Sequence, residues 1–167
     1  IGEITHDTKL VPIGMSVNDF ANEDAENVVN ALGNDAHRFS GKTILISGGA
    51  GFLGRHFIAV FRHLNGGILE KPCKVISADN YITGEQVALH GSAHHDPNII
   101  DVWADVSHPL PVREDLDFII HAAGVASPVY YMKYPLETID SAVQGTRNLL
   151  ELARRNPGLE GFLYFSS

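Results

Sequence analysis

Apolar positions fall into two patterns along this chain. From Ser40 onward, short β-branched runs at 43–47, 74–78, 99–103, 118–121 and 162–165 have the length and composition of strands. Between them lie stretches with helical spacing. Leu53, Phe57, Val60, Phe61 and Leu64 share one face of a helix that follows Gly51 and ends at Asn65-Gly66-Gly67. Ile139, Ala142, Val143, Thr146, Leu150 and Ala153 share a face of a longer helix over 137–155, which Pro157-Gly158 stops. The segment 83–96 is read as holding a short helix. Strands and helices that alternate at these lengths predict an α/β fold, with right-handed βαβ crossovers, a parallel sheet and helices on both faces.

The first 40 residues follow another pattern. Residues 1–17 carry Gly2, Pro12 and Gly14 with little periodicity and read as coil. Ser16 or Asn18 is placed to cap a helix through Ala21, Ala25, Val28, Val29 and Leu32, ending at Gly33. Asp19, Glu23, Asp24 and Glu26 fall in its early turns, where carboxylates suit the helix dipole. The expected division is an extension with one acidic helix over 1–40, packed on its own domain or on a partner subunit, and an α/β domain over 41–167.

Composition narrows the function. A formal charge of −8 argues against a nucleic-acid partner, which needs a basic face. No apolar run reaches the roughly 18 residues of a membrane span, and residues 1–8 resemble neither a signal nor a transit peptide. The single Cys73 leaves no internal disulfide and suits a reducing cytoplasm. The chain opens without Met, which suggests a start inside a longer sequence.

The chemistry starts where the first strand meets the first helix. Ser47-Gly48-Gly49-Ala50-Gly51-Phe52-Leu53-Gly54 contains Gly49-x-Gly51-x-x-Gly54, the spacing of a dinucleotide fingerprint. Such a turn aims free backbone N–H groups, here at Gly48, Gly51, Phe52, Leu53 and Gly54, toward a diphosphate at the positive end of a helix. Asp79 closes the next strand, where a carboxylate accepts both ribose hydroxyls of an adenosine half and repels a 2′-phosphate, so NAD is expected rather than NADP. Arg55 and His56 at the helix start are expected to point to solvent, because backbone donors already suffice for the phosphate.

Four further stretches carry a family resemblance. They are Asp79-Asn80-Tyr81-Ile82-Thr83-Gly84, Ala104-Asp105-Val106, His121-Ala122-Ala123-Gly124 followed by Ala126-Ser127-Pro128-Val129-Tyr130-Tyr131, and Val143-x-Gly145-Thr146-Arg147-Asn148-Leu149-Leu150. Their order and spacing over 42–167 resemble the extended short-chain dehydrogenase/reductases, the NAD-dependent nucleotide-sugar epimerases, dehydratases and decarboxylases. Within that family they look most like UDP-glucuronate decarboxylases, with dTDP-glucose dehydratases and UDP-sugar 4-epimerases close behind. The resemblance implies a Rossmann-type doubly wound sheet, NAD as cofactor, a nucleotide-sugar substrate and a homodimer. It implies that Asp105 accepts the adenine amino group, with the Val106 backbone facing the ring. Asn80, Tyr81, Thr83 and Gly84 would wrap the adenosine ribose and nearby phosphate. Ala122, Ala123 and Gly124 would floor the nicotinamide ribose, and Ser127 and Tyr131 would lie near the sugar. A plain turn at Ser127-Pro128 and packing roles for Tyr130, Tyr131 and Tyr134 are the alternative.

The family reaction uses a Tyr with a Lys four residues later, whose charge lowers the phenol pKa so that it serves as base. Four residues after Tyr81, Tyr130, Tyr131 and Tyr134 stand Glu85, Tyr134, Pro135 and Thr138, and the position after Tyr164 is not in the sequence. The chain is therefore expected to be the front part of a longer protein, with Ser167, beside Ser166, as the residue that orients the sugar hydroxyl. Two positions depart from the family pattern. Ala142 stands where Asn is usual, and Ser47 where Thr is commoner.

Other constellations carry less. His90, His94, His95 and Asp96 read as a solvated loop rather than a tetrahedral metal site, and Cys73 as a packing residue. There is no Gly-x-Ser-x-Gly elbow, and Leu53-Gly54-Arg55 replaces the lysine of a nucleoside-triphosphate loop. The expected function is NAD-dependent nucleotide-sugar modification through a 4-keto sugar. The alternative is a non-catalytic NAD-sensing or scaffold domain.

Overall fold

A computed structural model describes residues 17–83 and 96–165. Gly84, Ser166, Ser167, the histidines of the 90–95 loop, Ser16 as a cap and most of the helix expected over 83–96 lie outside the described residues.

The elements run α1 (Val17–Leu32), a 3₁₀ segment (Gly33–Phe39), β1 (Thr43–Ser47), α2 (Phe52–Asn65), β2 (Lys74–Asp79), β3 (Ile99–Trp103), β4 (Phe118–His121), α3 (Pro128–Lys133), α4 (Pro135–Asp140), a π-turn (Ser141–Gly145), α5 (Thr146–Arg154) and β5 (Gly161–Tyr164). All five strands are parallel, in the order β3-β2-β1-β4-β5. The order reverses beside β1, so a crevice opens between the carboxyl ends of β1 and β4, the usual ligand position in such sheets. Register brings Ser47 level with Ala78 on one side and His121 on the other.

β1 shows why the strands are so apolar. Ile44 and Ile46 face one layer and Leu45 the other, and all three are completely buried. A central parallel strand covered on both faces has no solvent side to mark with polar residues. The first layer holds Ile58, Phe61 and Leu64 of α2 with Val75 of β2. The second holds Leu149 of α5 with Ile76 of β2 and Ile119 of β4.

The acidic helix packs on this same chain. α1 lies against α2, with Ala25 at 2% and Val29 at 5% exposure in the first layer. Phe39 at the end of the 3₁₀ segment sets its ring edge-on to Phe61, centroids 5.4 Å apart. We expect Val29→Asp to lower stability by about 3 kcal/mol or more, since a buried Val contributes about 1.5–3 kcal/mol and an unpaired buried carboxylate adds a further cost. Urea unfolding with an unchanged m-value measures it.

The long helix differs from expectation. It is broken by the π-turn, and it is preceded by α3, which starts at Pro128 where a plain turn is the alternative reading. Its core-facing residues are Gly145 and Leu149, with Leu152 and Ala153 packed beside them. Ile139, Val143 and Leu150 face outward, at 59%, 67% and 50% exposure.

Candidate functional site

The glycine turn sits directly on the exit of β4. Gly48 has φ +75°, and a Cβ there would come within 2.6 Å of the Ala122 carbonyl and the Ala123 nitrogen. Gly54, in the first turn of α2, packs on the turn itself. A Cβ there would strike the Gly48 carbonyl and lie 2.6 Å from the Gly49 Cα. Two backbones meet here with no room for a side chain. Gly51 caps α2 with no side-chain hydrogen bond, so the first N–H groups of the helix stay open to an anion. The side chains of Phe52 and Leu53 are exposed and do not line the crevice; what those residues offer is backbone.

Asp79 is clamped from both sides. Its Oδ2 accepts the Ala50 N–H at 3.0 Å, and its Oδ1 accepts the Tyr81 N–H at 2.7 Å. Tyr81 has φ +56°, a left-handed conformation that non-glycine residues rarely adopt and that gathers at binding sites. A carboxylate offers about four acceptor positions, so two are free for a diol. Arg55 is exposed, as expected, yet it is anchored to the turn. Its Nε donates to the Ala50 carbonyl at 2.6 Å, so the Ala50 peptide is held by Asp79 at one end and Arg55 at the other.

The next carboxylate lies across the crevice. Asp105 follows β3, and its Oδ1 accepts both the N–H and the hydroxyl of Ser107, at 2.9 and 2.7 Å. Burial pushes the Asp105 carboxyl up, but the donors of Ser107 and Asn80 outweigh it and hold the carboxyl below its usual range. The neighbouring Val106 carbonyl accepts the Asn148 amide at 2.8 Å, and a Cβ on Gly145 would come within 2.7 Å of the Val106 side chain. The broken helix is thereby seated on the β3 side of the crevice.

Together these groups enclose a cavity of about 270 Å³ at the carboxyl edge of the sheet. Of the residues expected from sequence, it is lined by Gly48, Gly51, Asp79, Asn80, Thr83, Asp105, Val106, Ala122, Ala123 and Gly124. Ser127 and Tyr131 do not line it; Ser127 leads into α3, which carries Tyr131. Ser107, His108, Glu137, Asp140 and Ser141 line it without having been expected. The signal for Glu137 and Asp140 was their spacing of three on a helix, which puts both on one face. Four carboxylates and one imidazole line the cavity, with no Lys or Arg among the described lining residues.

A buried imidazole lies just beneath. His121 is fully buried; its Nδ1 is 2.8 Å from the Ser47 hydroxyl and its Nε2 is 3.1 Å from the Thr146 hydroxyl. Burial pulls the imidazole below its ordinary pKa, against the opposing pull of the Ser141 carbonyl. A base whose folded pKa is depressed binds its proton more readily in the unfolded chain. Its contribution to stability is complete above the ordinary value of about 6.5 and is lost as pH falls from there toward the folded pKa. We expect urea midpoints to fall as pH drops below about 6.5, with a shallower decline in His121→Gln.

The comparisons with known proteins agree with this geometry. Residues 44–167 match the family described as NAD dependent epimerase/dehydratase family. UDP-glucuronic acid decarboxylase 5 of Arabidopsis thaliana is 40% identical over 116 residues, which cover 70% of this chain and 31% of that protein. UDP-glucuronic acid decarboxylase 1 of Danio rerio is 36% identical over 115 residues, covering 68% and 25%. The chain thus spans about a third or less of these relatives. Among solved structures, dTDP-glucose 4,6-dehydratase from Streptomyces venezuelae with NAD bound gives a TM-score of 0.58 at 28% identity, over 72% of this chain and 38% of that one. UDP-glucose 4-epimerase from Bifidobacterium longum, in complex with NAD+ and UDP, gives 0.58 at 27%, over 75% and 37%. With the glycine turn, the carboxylate at the end of β2 and the doubly wound sheet all in place, the chain belongs to the NAD dependent epimerase/dehydratase family.

Proposed function

We propose that this chain is the coenzyme-binding part of a cytoplasmic enzyme that modifies a nucleotide sugar, with UDP-glucuronate as the favoured substrate. The observation that carries the reading is that the glycine turn, Asp79, Asn80 and Asp105 line one and the same cavity. The relatives named UDP-glucuronic acid decarboxylases support the choice of substrate.

The residues divide the work along the crevice. The open N–H groups at the start of α2 hold the diphosphate, and Asp79 grips the adenosine ribose diol. Asn80, Tyr81, Thr83 and Gly84 wrap that ribose. Asp105 accepts the adenine amino group while the Val106 backbone faces the ring. Ala122, Ala123 and Gly124 let the nicotinamide ribose approach the sheet, and the four carboxylates turn away a 2′-phosphate. What NAD supplies when bound is reversible hydride acceptance from the sugar, which gives access to a 4-keto sugar. Ser127 and Tyr131 lie toward the sugar, and Ser167 orients its hydroxyl.

The test is incubation of the intact protein with UDP-glucuronate, UDP-glucose and dTDP-glucose. Carbon dioxide released from the first alone supports decarboxylation. Turnover of either other sugar without it moves the assignment to epimerase or dehydratase, and NAD binding with no turnover of any sugar favours a sensing domain.

The same protein acts as a homodimer in this reading. Leu136, Ile139 and Val143, three and four residues apart from α4 into the π-turn, are exposed and form an apolar stripe, with Met132 of α3 and Leu150 of α5 also exposed. A second copy of this face is its partner. The double variant Ile139→Asp/Val143→Asp is expected to sediment as a monomer with its NAD affinity retained; an unchanged dimer would rule the stripe out as the interface.

A further inference from the structure

We infer that His121 is a positioning residue for the coenzyme, a single-tautomer strut that fixes the Ser141 wall of the cavity to the sheet beneath it. The inference rests on the proposed dinucleotide site and concerns a residue that does not itself line it.

The hydrogen-bond inventory sets the tautomer. The Thr146 hydroxyl donates its one proton to the Ala142 carbonyl at 2.6 Å, so toward His121 it can only accept. Nε2 must then carry the ring proton. Nδ1 is left as an acceptor, and the Ser47 hydroxyl donates to it. The chain therefore runs in one direction, from the end of β1 through the end of β4 to the π-turn.

Each end of this strut belongs to a different part of the site. Ser47 immediately precedes Gly48, whose turn receives the diphosphate. His121 immediately precedes Ala122 and Ala123, the floor. The far end holds the Ala142 carbonyl of the π-turn, next to Ser141, which lines the cavity with Asp140 beside it. A π-turn carries one residue more than the helical ladder accommodates, so its carbonyls depend on partners outside the ladder. The Thr146 hydroxyl is such a partner, and His121 holds it in place. With the strut intact, the wall, the floor and the glycine turn have one relative placement, and the coenzyme meets a formed site with less ordering to be done on binding.

Two pairs of variants separate this role from simple core filling. Asparagine at 121 retains an acceptor near Ser47 and cannot reach Thr146; glutamine reaches Thr146 with an amide N–H. Both lose the ring. Titration calorimetry of the intact protein with NAD is expected to show His121→Asn at least about tenfold weaker, roughly 1.4 kcal/mol, and His121→Gln within about threefold of the parent, although both melt at similarly reduced temperatures. Independently, Thr146→Val is expected to weaken NAD by the same factor, and Thr146→Ser to restore it. Equal affinities for the two His121 variants, or parental affinity in Thr146→Val, would overturn the inference. A parental protein that does not bind NAD would instead remove the proposed function.

Discussion

Gly54→Ala is expected to abolish measurable NAD binding and to lower the melting temperature by several degrees. The added methyl group does not meet a side chain that can swing aside. It meets the Gly48 carbonyl and the Gly49 Cα, both backbone of the glycine turn. Either α2 withdraws from the sheet or the turn moves outward. Overpacking of this kind costs about 1–3 kcal/mol in a folded core, and a domain of this size shifts its melting point by roughly 2–4 °C for each kcal/mol. Both responses also displace the open N–H groups at the start of α2 from the position in which they converge on an anion. Binding should therefore fall further than stability. Calorimetry with NAD, run beside thermal melting without it, reads the two effects separately. Retained affinity would show that the turn is not the diphosphate site.

Asp79→Asn is the second large effect, with NAD affinity expected to fall by about 10- to 100-fold, the range for losing hydrogen bonds to a charged group. The amide replaces one carboxylate oxygen with an N–H₂ group. Since both oxygens already accept a backbone N–H, from Ala50 and from Tyr81, the new donor faces a donor whichever way it turns. The left-handed Tyr81 then loses an anchor, and so does the Ala50 peptide that Arg55 holds from its other end. NADP should not gain in return, because Asp105, Glu137 and Asp140 still line the cavity. Titration with both coenzymes decides it. Tighter NADP binding by the variant would mean that Asp79 alone sets the preference.

Much of this was legible from residues whose surroundings leave few alternatives. Ile44-Leu45-Ile46 is apolar without a break because both faces of β1 are covered, and a short unbroken run of that kind has one main home in a parallel sheet. Gly48 and Gly54 are glycines because backbone meets backbone at each. Asp79 stands where a strand ends beside that turn. The illegible parts depend on contacts the sequence does not announce. An apolar stripe reports that a helix face has a partner, not which partner. Ile139 and Val143 follow the helical period as well as Leu149 does, yet they face outward while Leu149 is buried. Ser127-Pro128 suits a turn as well as the start of α3, since proline fits the first helical position. The π-turn rotates everything after it, so the lining role of Ser141 emerges only once Gly145 and Asn148 are docked on Val106. His121 reads as one more strand residue until its two neighbours, 74 and 25 positions away, are brought to it.

The packing of α1 on α2 bears on how the chain is made. A nascent βα unit emerges with the inner face of its helix uncovered, well before the remaining strands exist to shelter it. Such transient surface is where aggregation starts. Here the helix that covers part of that face is synthesised first and lies close by in sequence, so the contact closes over a short loop. α1 is thus placed to shelter that face as soon as α2 forms, and it stays on as part of the finished interior.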